Sequence, residues 1–281
     1  MRMKLKANAK LNLSLDICSK REDGYHILDS VMQSVSLCDN VNVEKAEKIT
    51  VCYSDIGLCG SNDICYLAAK NFFEYAGIEN GADIYIEKNI PCVAGMGGSS
   101  CDAAAVLMAL NRLYETNYAE GTLIEIGLKV GADVPFCIVG GTCRVGGIGE
   151  ILTPIKPLTS CAFLVVVMGK KPSTKEMYEL IDSKPYRCGN TQKLIDMIEE
   201  GNLKGMCSSL SNAFEVVHSI RLERELLGRF SPLGIGLSGS GPAVFAVFEN
   251  KAQADKARSV LETEGIAAYV VEPQEKGIII E

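Results

Sequence analysis

The stretch Pro91-Cys-Val-Ala-Gly-Met-Gly-Gly-Ser-Ser-Cys-Asp102 runs straight into the apolar segment Ala103-Ala-Ala-Val-Leu-Met-Ala-Leu110. Just before it, Ala82-Asp-Ile-Tyr-Ile-Glu-Lys88 alternates apolar and polar residues as a strand does. A strand, then glycines and hydroxyls, then a helix start gathers unpaired backbone N–H groups around one point, where the helix dipole also favours an anion. That is a phosphate cradle. A tight strand-to-helix turn, with glycines chosen only for backbone freedom, has the same composition, and the stretch alone leaves both readings open.

The whole chain bounds the answer. Its 281 residues can bury a large core and more naturally form two domains than one, with the boundary expected at Thr153-Pro-Ile-Lys-Pro157, so 1–155 and 156–281. No apolar run approaches the roughly 18 residues of a membrane span, and Met1-Arg-Met-Lys-Leu-Lys6 lacks the unbroken apolar core of an export signal. No membrane association and a cytoplasmic location are therefore expected. A net charge of −7 argues against nucleic acid as a partner, though not against a small anion held by backbone amides. The 12 cysteines sit singly, with no Cys-x-x-Cys pair, and read as small buried hydrophobes in a reducing compartment.

Toward the N-terminus, Ala9-Lys-Leu-Asn-Leu-Ser-Leu-Asp-Ile17 alternates strictly. A strand there puts Leu11, Leu13, Leu15 and Ile17 on one face and Lys10, Asn12 and Ser14 on the other. Lys10 and Asn12 then project side by side about 7 Å apart, either into solvent or into a site. Ser19-Lys-Arg-Glu-Asp-Gly24 is a turn, and Tyr25-His26 after it could stack on and hydrogen-bond a flat ring or simply lie on the surface. Ser30 to Leu37 and Val41 to Val43 around Cys38-Asp-Asn40 read as a hairpin.

Asn62-Asp63 is a cap for a helix over 64–76 that ends at Gly77, and the loop stretch opens a buried helix to about 113. A further helix near 119–130 leads to Gly131-Ala-Asp-Val-Pro-Phe136, where Asp133 is either an ordinary helix cap or a carboxylate placed between two glycine-rich segments. In the second half, Cys161 to Met168 is a buried strand and Ser173-x-x-Glu176 a capping box. Helices are expected over 190–200, 203–229 and 251–264, with strands at 234–237, 243–248 and 267–271. Strands and helices in this order make an α+β fold.

Two nucleotide motifs fail. The loop lacks the Gly-Lys-Ser/Thr ending of a P-loop, and Gly234-Ile-Gly-Leu-Ser-Gly239, although it matches G-x-G-x-x-G, runs into Pro242 and a strand where a dinucleotide fold needs a helix. Three other stretches carry a resemblance. Ala9-Lys-Leu-Asn-Leu13, Pro91 to Ala105 and Leu237-Ser-Gly-Ser-Gly241 resemble the three ordered motifs of the GHMP kinase superfamily. Within it, Asp23-Gly-Tyr-His26 and Gly131 to Phe136 are similar to the signatures of the kinases that act on cytidine diphosphate-linked methylerythritol.

The resemblance implies a two-domain α+β fold with the active site in the interdomain cleft, and a soluble small-molecule kinase using ATP and Mg²⁺, monomeric or homodimeric. It implies that Asp133 is the catalytic base with Lys10 as partner, and that Asn12, Tyr25 and His26 bind the acceptor. Pro91, Ala94, Gly95, Met96, Gly97, Gly98, Ser99, Ser100 and Cys101, together with Asn62, would bind the nucleotide. Three positions depart from the family's pattern: Asn8 replaces a usual proline, Val93 a common glycine and Cys101 a serine. At a helix start Cys101 is also a candidate for a lowered thiol pKa.

Overall fold

The computed structural model describes residues 2–54, 63–185 and 188–281. Asn62, expected to touch the nucleotide, lies outside them.

The chain opens with two long antiparallel strands, β1 (Arg2–Lys20) and β2 (His26–Ala46), joined by the turn at 21–25. A short β3 (Thr50–Tyr53) precedes α1 (Ile64–Ala76), which Asp63 caps by accepting from the N–H groups of Cys65 and Tyr66, and which Gly77 ends in the left-handed conformation. Then come β4 (Gly81–Glu87), α2 (Gly98–Leu113), α3 (Glu120–Leu128), α4 (Val134–Val139) and the hairpin β5 (Thr142–Gly147)/β6 (Ile151–Pro154). The remainder supplies β7 (Ala162–Val167), α5 (Thr174–Ile181), α6 (Asn190–Glu199), α7 (Leu203–Ser208) and β8 (Ser211–Asn212). It ends with α8 (Arg221–Gly228), β9 (Gly234–Leu237), β10 (Ala243–Phe248), α9 (Lys251–Thr263), β11 (Ala268–Val271) and β12 (Ile278–Ile280).

One sheet has the order β12-β1-β2-β4-β3, with β5 against the first half of β2 and β8 beside β1; the other is the antiparallel β11-β7-β10-β9. The last strand thus returns to the sheet of the first. β1 belongs to three cores in succession: Leu5 and Ala7 pack with α1 and α2, Ala9, Leu11 and Leu13 with β7 and β10, and Leu15 and Ile17 with the far side of the second sheet. This is why both faces of its middle are buried and why Lys10, Asn12, Ser14 and Asp16 are at most 3 % exposed. α2 is apolar almost all round and correspondingly buried from Cys101 to Leu107. Each of its fully buried leucines contributes about 1.5–3 kcal/mol, so the helix holds its N-terminus, and the loop before it, in place.

Three expectations need correction. No turn interrupts β2 at 38–40, because Asp39 is fully buried and its carboxylate is consumed by Lys88 and by the N–H groups of Asn89 and Ile90. No single helix spans 203–229, because Asn212 stops it: its side chain donates to the carbonyls of Leu237 and Gly239 and accepts from Phe214 N–H. Nor are all the cysteines isolated hydrophobes. Cys18 and Cys188 form a disulfide with Cα atoms 5.1 Å apart, and Cys52 and Cys92 are exposed. Asp16 brings the disulfide partners together by accepting from the N–H groups of Gly189, Asn190 and Thr191 at the start of α6.

Candidate active site

The glycine loop is shaped by contacts on its inner side. Gly95 and Gly97 have φ of +83° and +74°, and a Cβ on Gly95 would meet the Ser238 carbonyl oxygen at 2.3 Å, one on Gly97 the Lys10 Cγ at 2.8 Å. Only glycine allows so close an approach. The loop is strapped down by Lys10 N–H donating to Met96 O, Ala243 N–H to Ala94 O and Ser238 Oγ to Gly95 O. Ala94, Met96 and Cys101 are buried, so they do not present side chains to a ligand. Cys101 Sγ lies 2.9 Å from Cys137 Sγ, and its N–H is bonded to Gly97 O. What faces outward is Gly95, Gly97, Gly98, Ser99 and Ser100, beside a half-buried Pro91. The N-terminus of α2 has no side-chain cap and no acidic residue in its first turn, which leaves its N–H groups for an anion.

Beneath the loop, Lys88 Nζ binds the carboxylates of both Asp39 and Asp102, the latter at 2.6 Å. Two carboxylates around one ammonium leave a buried negative charge, and taking up a proton removes it. Burial raises the Asp102 carboxyl to about 8; Lys88 pulls it back and the Asp39 charge adds to the rise.

The second component comes from β1 and α4. Lys10 Nζ donates to Asn12 Oδ1 at 2.7 Å and lies 3.4 Å from Asp133 Oδ2. Asn12 is fixed in turn: its Oδ1 accepts from Gly239 N–H at 3.0 Å and its Nδ2 donates to Ser30 Oγ at 3.0 Å. Asp133 occupies the cap position of α4 yet makes no capping hydrogen bond. Its carboxylate is spent on Lys10, and at 34 % exposed it still faces the cleft. The alternation that set Lys10 and Asn12 side by side is therefore a buried face lining a cavity, not a solvated one.

The third component is a cavity walled by aromatic rings. His26 is 8 % exposed, stacks on Tyr178 at 4.7 Å between centroids, and places Nε2 2.6 Å from Asp182 Oδ1. Asp182 also pairs with Lys20 at 2.5 Å. Tyr25 is 58 % exposed at the rim. Burial, and secondarily the charge of Asp133, pushes the Tyr178 phenol up. The sequence reading passed over Tyr178, Asp182 and Lys171. For Thr174, Tyr178 and Asp182 the signal is their three-to-four-residue spacing, which puts them on the side of α5 that lines the cavity; Lys171 precedes the helix and has no such signal.

A cavity of about 590 Å³ contains Lys10, Asn12, Tyr25, His26 and Tyr178, and one of about 180 Å³ lies over the loop. They share Asp133, Gly95, Ser100 and Thr174. A carboxylate paired with a lysine thus sits where a cavity lined by Tyr25, His26 and Tyr178 meets a glycine loop with free helix N–H groups. That arrangement suits transfer of a phosphoryl group between two bound molecules.

The chain is similar to known kinases. Residues 63–141 match the GHMP kinases N terminal domain and residues 203–267 the GHMP kinases C terminal domain. A 4-diphosphocytidyl-2-C-methyl-D-erythritol kinase of Caldicellulosiruptor bescii is 44% identical over 265 residues, 91% of this chain and 92% of the relative. The chain belongs to this GHMP kinase family. The kinase of the same name from Clostridium botulinum is 39% identical over 276 residues, 95% of this chain and 99% of its own. A crystal structure of 4-(cytidine 5'-diphospho)-2C-methyl-D-erythritol kinase superposes with TM-score 0.76 at 30% identity, covering 96% of this chain and 98% of that one. A homoserine kinase from Cytophaga hutchinsonii reaches 0.78 at 18% identity, which reflects the shared fold. The matched family has an N-terminal and a C-terminal domain, the chain mixes helices and strands as an α+β fold does, and membership makes ATP the co-substrate.

Proposed function

We propose that the protein transfers the γ-phosphoryl group of ATP to the 2-hydroxyl of 4-diphosphocytidyl-2-C-methyl-D-erythritol, a step of non-mevalonate isoprenoid precursor synthesis. The observation that supports this most is Asp133, paired with Lys10 and lining both the ring pocket and the loop cavity. In this reading Tyr25, His26 and Tyr178 hold the cytosine, and the methylerythritol unit reaches toward Asn12 and Asp133. As the acceptor oxygen bonds to the γ-phosphorus and the bond to the β-phosphate bridging oxygen breaks, Asp133 accepts the hydroxyl proton and ADP leaves. Lys10 positions the aspartate through their ion pair and offsets developing charge. The N–H groups at the start of α2 hold phosphate oxygens.

Mg²⁺ fits the donor set. It keeps water and phosphate ligands and takes only one or two protein oxygens, and the Ser100 hydroxyl lies where the two cavities join. Ser99 and Ser100 would hold the ion, whose contribution is to neutralise phosphate charge. A cytoplasmic location and a monomeric or homodimeric state belong to the same reading.

The test is to incubate purified protein with ATP, Mg²⁺ and the cytidine compound, with homoserine and mevalonate in parallel, and to identify products by phosphorus NMR. A phosphomonoester on the cytidine compound alone, lost when Tyr25 and His26 are both replaced by alanine, is expected. Turnover of another acceptor in preference to it would overturn the assignment.

A further inference from the structure

The glycine loop carries no lysine of its own, unlike a P-loop. The structure brings one from elsewhere in the chain. Lys171, between β7 and α5, lines the cavity over the loop together with Asp133, Ser100 and Gly97. Its Nζ donates to Ser240 Oγ at 2.5 Å and to Thr174 Oγ1 at 3.2 Å. These partners are neutral hydroxyls, and among the described residues no carboxylate lies within ion-pair distance of it.

The contrast with its neighbours is informative. Lys88 is paired with Asp39 and Asp102, and Lys10 with Asp133, whereas Lys171, lining the loop cavity, has no carboxylate in ion-pair distance among the described residues. A half-buried ammonium without a counterion is costly unless a ligand supplies one. Burial, and then repulsion by the Lys10 ammonium, pulls Lys171 below the ordinary lysine value, and a bound anion would counter both. Ser240 belongs to the Leu237-Ser-Gly-Ser-Gly241 turn that straps the loop through Ser238. The lysine is thereby held against the structure that shapes the anion site.

We propose that Lys171 is the donor-side lysine of this enzyme, its Nζ binding the β- and γ-phosphoryl oxygens of ATP and offsetting the charge that builds on ADP as the bond to the transferring group breaks. The inference rests on the kinase reading above. It gives the protein three cations with separate duties: Lys88 holds the loop from below, Lys10 serves the base and Lys171 serves the nucleotide.

The experiment compares Lys171→Met and Lys171→Arg with the parent protein. A charge-assisted hydrogen bond is worth about 1.5–3 kcal/mol, so Lys171→Met should lower kcat/KM for ATP by about 10- to 100-fold, leave KM for the acceptor within twofold, and melt within a few degrees of the parent. Lys171→Arg should recover part of the loss. Calorimetric titration with ATP alone should show the same order of weakening for Lys171→Met. That arm requires no turnover, so it tests Lys171 even if the parent protein phosphorylates no cytidine compound, a result that would sink the substrate assignment instead. ATP affinity within twofold of the parent, an equal loss on ATP and acceptor, or arginine as poor as methionine would overturn the proposal.

Discussion

Gly97→Ala adds one methyl group at the point where the glycine loop touches Lys10, the lysine proposed to serve the base. The cost has two separable parts. At φ +74° an alanine is in left-handed backbone, which costs about 1–2 kcal/mol, partly offset by the reduced freedom of the unfolded chain. A net loss near 1 kcal/mol lowers Tm by about 2–4 °C in a chain of this size. The second part is local. The new Cβ would stand 2.8 Å from Lys10 Cγ and 3.1 Å from Cε, and carbon atoms rest at about 3.5–4.0 Å, so the lysine stem must retreat by roughly 0.7 Å. Its Nζ sits 2.7 Å from Asn12 Oδ1 and 3.4 Å from Asp133 Oδ2, with no slack for that movement. A misplacement of about 1 Å in a reacting geometry costs up to about 100-fold, and kcat should fall about 10- to 100-fold. Gly77→Ala is the control: its φ is +63°, with nothing within 4 Å of the new methyl. It should show the same drop in Tm with kcat within twofold of the parent. Coupled measurement of ADP release alongside thermal melts reads both quantities. Equal activities in the two variants would refute the idea that the loop glycine exists to admit Lys10.

Two other perturbations follow from the same neighbourhood. Val93 is a β-branched residue at φ 55° and is 72 % exposed, so Val93→Gly removes left-handed strain without opening a cavity and should stabilise the protein by up to about 1 kcal/mol in urea unfolding; a lower midpoint would contradict it. Asp102, with its carboxyl raised to about 8 by burial, holds a proton in the folded state that it would release near 4 when unfolded. Its contribution to stability is complete below the ordinary carboxylate range and is lost as pH rises through about 8. Asp102→Asn, which mimics the protonated form, should therefore gain on the parent in denaturant midpoint between pH 6 and pH 9, and a pH-independent difference would exclude this titration.

Much of this could be read from the chain, and the exceptions have identifiable causes. The loop was legible because its strand, glycines and apolar helix follow one another, so local order and tertiary position coincide. Lys10 and Asn12 were legible because a two-residue period survives into the folded strand, although the wall they form exists only because β1 is covered on both faces. Asp39-Asn40 misled because these residue types favour turns; what holds Asp39 in a strand is Lys88, 49 residues away. The Cys18–Cys188 pair spans 170 residues, and only the capping of α6 by Asp16 makes the two neighbours. Tyr178 and Lys171 were missed for a related reason. The capping box located the helix of Tyr178, with Lys171 just ahead of it, but which side met the cavity depended on how the second sheet docks against β1.

The role of Asp133 at the junction of the two cavities is tested most directly by single-turnover phosphorylation of the cytidine compound by Asp133→Asn, which keeps the side chain's shape and removes its basicity. The expected result is a rate at least about 100-fold below the parent, as for loss of a general base, with ATP affinity within a few-fold. A rate within a factor of three of the parent would contradict the assignment of Asp133 as the base.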